Sequence, residues 1–154
     1  MAALLISGTT ALAPSAIANT SQGVIAGADA VTDDWGDEGP LDYNSYSYSR
    51  AVALWQWVLR AEGLYTGAID CDFGPATTSA TKAFQARYGL TQDGSAGPLT
   101  MGAVDGYLTM LPDGVTVRYW APSDYVDFRR VNGTYQVWLN GAWRTASYTS
   151  ASGC

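Results

Sequence analysis

The chain of 154 residues has no histidine. That removes the commonest general base and the commonest zinc ligand in proteins. Two cysteines, Cys71 and Cys154, are too few to build a structural zinc site alone. Basic residues are scarce, eight against fourteen acidic, for a net charge of −6 and a pI near 4.3. Such an acidic balance argues against nucleic acid as a partner. Long apolar runs are missing too. Residues 2–18 come nearest, but the run is short and broken by Gly8 and Pro14, so no membrane span is expected. Neither a metal nor a cofactor is expected.

The excess of negative charge is local. Asp29, Asp33, Asp34, Asp37, Glu38 and Asp42 all precede the first basic residue, Arg50. Removing those six from fourteen leaves eight acidic against eight basic residues beyond that point, a nearly neutral remainder. What the chain has in quantity is flat rings, with six Trp and ten Tyr. Some must serve a core; others can stack on sugars or proteins.

Residues 2–18 are apolar, uncharged and rich in small side chains, and end in Ala16-Ile17-Ala18. That pattern predicts the apolar region and cleavage site of a secretory signal, although no Lys or Arg precedes it. Residues 19–48 lack a sustained apolar period and read as an acidic flexible arm. Within it, Val24–Ala28 is apolar enough to add as a strand to a protein partner, and Tyr43, Tyr46 and Tyr48 crowd together before the first helix. Ser49 can cap a helix from Arg50 to about Glu62, with Val52, Trp55, Val58 and Leu59 at helical spacing and Gly63 as its stop.

Two segments then repeat one design. Asp70–Thr77 and Asp93–Thr100 both read Asp-x-x-x-Gly-Pro-x-Thr. Gly74 and Gly97 permit a sharp turn, and Pro75 and Pro98 suit the first helical position. Asp70 and Asp93 can accept hydrogen bonds from loop N–H groups. Helices are predicted from Pro75 to Tyr88 and from Pro98 to about Leu108, the latter weakened by Gly102 and Gly106. After Pro112 the pattern alternates. Val115–Trp120, Tyr125–Val131, Thr134–Leu139 and Ala142–Tyr148 read as strands, with Asn132-Gly133 and Asn140-Gly141 as hairpin turns. A meander of three or four strands needs a cover on one face, and the helices are the available one.

From Arg50 to about Leu108 the chain resembles the peptidoglycan-binding domain found in bacterial cell-wall hydrolases and amidases. The resemblance rests on Val52, Trp55-Gln56, Leu59, Gly63, Tyr65, Gly67, Ile69-Asp70, Phe73-Gly74-Pro75, Thr77, Ala80, Phe84-Gln85, Gly89-Leu90, Asp93-Gly94, Gly97-Pro98 and Thr100. It departs from the family pattern at Trp55, where Leu is usual, at Cys71, where Gly is usual, and at Met101, where Trp is frequent. The resemblance implies a three-helix peptidoglycan-binding-like module (49–111); with the C-terminal antiparallel β-meander (112–154), which is not part of the family pattern, packed on it and a flexible N-terminal tail, the expected fold class is α+β. It also implies binding to a peptidoglycan glycan or stem peptide rather than catalysis.

The candidate ligand-binding residues are Tyr65, Asp70, Asp72, Thr77, Gln85 and Asp93. Tyr65 and Gln85 can equally be framework. Trp120, Trp138 and Trp143 form a second candidate surface, with at least one of them expected in the core. No catalytic set is found. Ser152-Gly153-Cys154 is similar to the end of the L,D-transpeptidase motif but lacks its histidine, and a thiolate nucleophile needs a base. Cys71 and Cys154 are better read as a disulfide in an oxidising compartment, closing about 80 residues for ~4 kcal/mol. The expected protein is therefore a secreted, non-catalytic wall binder. The alternative is an adaptor that docks a partner through 19–48.

Overall fold

A computed structural model describes residues 20–154. The predicted signal segment lies outside the described residues. Among them, α1 (Arg50–Ala61), α2 (Pro75–Arg87) and α3 (Pro98–Asp105) precede five strands: β1 (Leu108–Met110), β2 (Thr116–Trp120), β3 (Tyr125–Val131), β4 (Thr134–Leu139) and β5 (Ala142–Thr145). The strands form an antiparallel meander in sequence order. Two short 3-10 turns, Thr20–Gln22 and Val31–Asp33, lie upstream.

The helix starts follow local chemistry. The Ser49 hydroxyl accepts the Val52 N–H at 3.3 Å and caps α1. Gly74 and Gly97 are extended, and Pro75 and Pro98 open α2 and α3. Both hairpin turns have positive φ at their two central residues, Asn132 and Gly133, then Asn140 and Gly141. That is the type I′ geometry whose twist matches the flanking strands.

Helix α3 ends at Asp105, short of the predicted Leu108. Leu108 is instead buried in the edge strand β1, opposite Tyr119. Gly102 and Gly106 make a longer helix costly, and pairing with β2 satisfies the backbone that it would have used. The sheet gains a fifth strand by this exchange.

A larger correction concerns the arm. Residues 20–48 are not a free spacer but a packed layer. Ile25, Trp35 and Leu41 have no exposed surface. Trp35 meets Phe128 and Tyr135 edge-on, with centroids 5.6 and 5.4 Å apart. Val24–Ala26 does pair as a strand, but with this chain's own sheet: Ile25 donates to Ala146 O at 2.9 Å and accepts from Tyr135 N–H at 2.9 Å. The apolar residues are too sparse to show a period, yet each fills a hole that the helices and sheet leave open.

Three inward-facing tyrosines of the sheet and its exit segment each hold a buried carboxylate. Tyr119 donates to Glu62, Tyr135 to Asp34 and Tyr148 to Glu38. Glu62 also receives Arg87 and Tyr88, so the ends of α1 and α2 are fastened to β2. Asp34 takes Arg130 at 2.7 and 3.0 Å. These bonds make helices, sheet and arm one body. None of Trp120, Trp138 and Trp143 belongs to the core, against expectation; the buried large rings include Trp35, Trp55, Tyr119, Tyr135 and Tyr148.

Candidate functional site

The two repeated loops are built around two buried glutamines. Gln56, on α1, donates to Asp70 Oδ1 at 2.8 Å, Asp72 O at 3.0 Å and Thr77 Oγ1 at 3.2 Å. Its Oε1 accepts the N–H groups of Asp70 and Cys71. Gln85, on α2, repeats the pattern: it donates to Asp93 Oδ1 at 2.7 Å, Ser95 O at 3.0 Å and Thr100 Oγ1 at 3.1 Å, and accepts Gly94 N–H at 2.9 Å. A primary amide carries both donor and acceptor, so one side chain can close a turn from both directions.

The duplication extends upstream of the loops. Trp55-Gln56 corresponds to Phe84-Gln85, and the two rings meet edge-on at 5.1 Å in the module's centre. Gln56 was missing from the candidate ligand-binding residues, although its match to Gln85 points to it. Cys71 and Gly94 occupy matching positions, with φ of 63° and 78°. A residue other than glycine is uncommon there. Cys71 is held by its disulfide to Cys154, with Cα atoms 5.9 Å apart.

The candidate residues therefore fall into two clusters. Tyr65, Asp70 and Thr77 gather on Gln56; Tyr65 accepts from it at 3.2 Å and donates to Ala68 O at 2.7 Å. Asp93 gathers on Gln85. Tyr65, Thr77 and Gln85 are buried and engaged in these bonds, while Asp70, Asp72 and Asp93 are exposed. Asp70 and Asp93 each accept the N–H two residues on, from Asp72 and Ser95, as turn-closing carboxylates do. The Asp72 carboxylate points to solvent with no such internal partner.

Residues 41–49 join the clusters. Leu41 exchanges two backbone bonds with Ala96, and Phe73 and Ser49 donate to and from the same segment, to Ser47 O and Cys71 O. Ser95 Oγ donates to Asp42 at 2.9 Å. The two loops are thus neighbours under one strap, and the strap leaves Tyr43 and Tyr48 exposed beside them.

Residues 49–104 match the family model described as a putative peptidoglycan binding domain. Over these 56 of the 154 residues the chain is similar to that family. The match covers both glutamine-centred loops and the three helices they connect. A zinc D-Ala-D-Ala carboxypeptidase of Streptomyces albus G is 36% identical over 107 residues, covering 62% of this chain and 41% of that protein. The chain therefore spans about two-fifths of that relative's length. No solved structure matches the chain.

Two further features lie away from the module's loops. A hollow of about 400 Å³ is lined by Asp29, Asp33, Asp34, Asp37 and Glu38 together with the Asn132–Thr134 turn. Among the described residues no group of three or more His, Cys, Asp or Glu side chains is placed to hold a metal. Burial raises Glu38 and Asp105 to about 7 each, despite the N–H groups of Ala26 and Trp35 that they accept. The second feature is an aromatic cleft on the sheet, lined by Trp57, Tyr125, Val126, Asp127, Trp138 and Trp143. Trp57 and Tyr125 were not among the sequence candidates for this surface. No helix among the described residues is long and apolar enough to cross a membrane.

Proposed function

We propose that the protein is a secreted, non-catalytic peptidoglycan-binding protein whose ligand-facing surface lies over the two loops. The observation that carries this is the family match across 49–104, on a module whose two loops are both built intact around Gln56 and Gln85. Asp70, Asp72 and Asp93 line the exposed side, with Tyr43 and Tyr48 beside them. Carboxylates and phenol rings suit the hydroxyls, amides and sugar faces of a glycan or its stem peptide.

The disulfide supports an extracytoplasmic location, because such bonds persist in oxidising compartments. The signal-like composition of residues 2–18 agrees with it. The buried carboxylates Glu62, Asp34 and Glu38 are engaged by tyrosines or arginines and Asp105 by the Trp35 N–H, and the chain has no histidine to act as a base. These features favour binding over catalysis.

The test is co-sedimentation with purified sacculi. The protein is expected to pellet with them saturably and to release no soluble wall fragments. Asp72→Ala, which touches neither glutamine cluster through its side chain, should weaken pelleting without changing the melting temperature. A protein that stays in the supernatant at all sacculus concentrations refutes the proposal.

A further inference from the structure

The aromatic cleft is a place where the sheet opens. Strands β3 and β4 pair only beside their turn, over Arg129–Val131 against Thr134–Gln136. Beyond that the strands part, while β2 stays paired to β3 through Tyr125 and β4 stays paired to β5 through Leu139. Trp57 enters the gap from α1 and donates its indole N–H to Trp138 O at 3.2 Å, a carbonyl that has no pairing to β3 there. The opening is thereby stabilised rather than frayed.

The rims of the gap are rigid rings. Trp138 and Trp143 face each other across β4 and β5 with centroids 5.3 Å apart at 67°. The Arg129 guanidinium lies 4.8 Å from the Trp143 ring, and that of Arg118 lies 3.9 Å from the Tyr125 ring. Such cation–π contacts fix ring orientation in advance of binding. Arg118 is also paired to Asp127 through two bonds of 2.7 and 2.8 Å, which neutralises that pair, while Arg129 on Trp143 and Arg60 on Trp57 leave positive charge at the edge. The indole N–H groups of Trp138 and Trp143 make no hydrogen bond among the described residues.

We infer that this cleft is a second ligand site, and that its occupant is a neutral glycan strand of β-linked N-acetylated pyranose rings. The chemistry selects that class. The cleft holds about 480 Å³, within the range of small-molecule sites. Flat rings offer stacking faces for the C–H faces of sugar rings. Two unused indole donors meet acetamide or hydroxyl oxygens, and the outer lone pairs of Asp127 accept hydroxyls. The site is separate from the two loops and does not depend on their binding anything.

The probe is the β-1,4-linked hexamer of N-acetylglucosamine, titrated by intrinsic tryptophan fluorescence into the full chain. Saturable quenching is expected, weakened tenfold or more in Trp138→Ala/Trp143→Ala. In the wild-type protein, which needs no folding control, bound hexamer should protect Trp138 and Trp143 from oxidation by N-bromosuccinimide, mapped by mass spectrometry. Protection that falls elsewhere, an unchanged affinity in the double variant, or no saturable signal overturns the inference. Sacculus pelleting without hexamer protection at these two residues would leave the wall-binding proposal standing and this one refuted. Hexamer protection without pelleting would do the reverse.

Discussion

The sharpest prediction concerns Cys71, where one residue serves two opposed demands. Its φ of 63° is the conformation that glycine takes at the matching Gly94. For an L-residue that conformation costs about 1–2 kcal/mol, against about 0.5–1 kcal/mol of extra unfolded-state entropy that a glycine would lose. Glycine is therefore favoured at position 71 by about 0.5–1 kcal/mol, once the sulfur is left out. The sulfur reverses the balance. The bridge to Cys154 spans a sequence separation of 83. Chain-entropy arithmetic for a loop of that length gives about 4.5 kcal/mol at 25 °C.

Two double variants separate the effects. Cys71→Ser/Cys154→Ser keeps the strained backbone and loses the cross-link, so its stability should fall by about 4–5 kcal/mol. Cys71→Gly/Cys154→Ser loses the same cross-link but relieves the backbone, so it should retain about 0.5–1 kcal/mol more than the serine pair. The assay is equilibrium urea unfolding of the full chain, followed by tryptophan fluorescence and far-UV circular dichroism. The dependence on denaturant should steepen in both variants, because an uncross-linked unfolded chain exposes more surface. A serine pair that loses under 1 kcal/mol, or that is more stable than the glycine pair, would refute the reasoning.

Other expectations follow from the same contacts. Gln85→Ala strands Gly94 N–H and the Ser95 carbonyl in a buried setting and should cost about 2–4 kcal/mol, with Gln56→Ala at least as costly; equal melting temperatures would sink the hub assignment. Trp35→Ala empties a fully buried site between Phe128 and Tyr135 and should cost about 3–5 kcal/mol by urea unfolding, whereas a change below 1 kcal/mol would mean that the arm is not part of the core. Burial raises Glu38 and Asp105 from ordinary values of 4.5 and 3.8 to about 7, so their stabilisation is full below about pH 4 and is lost as pH rises through 7. The urea midpoint should therefore be higher at pH 5 than at pH 8, and Glu38→Gln/Asp105→Asn should flatten the difference; a midpoint that rises with pH contradicts the assignment.

The helical module was legible because its signals are local. A Gly-Pro pair sets a turn and a helix start within three residues, and an Asn-Gly pair sets a hairpin. The ends of β3 and β4 were read to the residue for that reason. The three helices and four of the five strands followed from such signals, whereas the Cys71–Cys154 bridge was read from the cysteine count and the signal-like segment. The binding candidates were less legible. Asp70, Thr77, Gln85 and Asp93 have the residue types of a ligand site, yet each also closes a turn; for Asp70 and Asp93 that role was readable locally, while the bonds that Gln56 and Gln85 make across 8 to 21 residues show only in the fold. The aromatic cleft was half visible. Its tryptophans stood out in composition, but Trp57 lies on a helix some 80 residues from Trp138, and no periodicity links the two.

The arm shows where local reading fails and why. Its six acidic residues look like the solvated face of a disordered segment, because charge density without apolar period is the signature of disorder. Two of the six are buried. Asp34 lies against Arg130 and Tyr135, and Glu38 against Tyr148. A carboxylate is expensive to bury without partners, so these acids are stable in the core only against the sheet's tyrosines. The arm is thus a third layer, specified by residues about 100 positions downstream rather than by its own neighbours. The same dependence explains how 41–49 comes to strap the two loops together, since the strap is anchored at one end by Trp35 and at the other by the cap of α1. A truncation that removes the arm would therefore unseat the loops as well as expose the sheet. Any loss of wall binding on deleting 19–48 would consequently report a damaged module before it reported a missing docking segment.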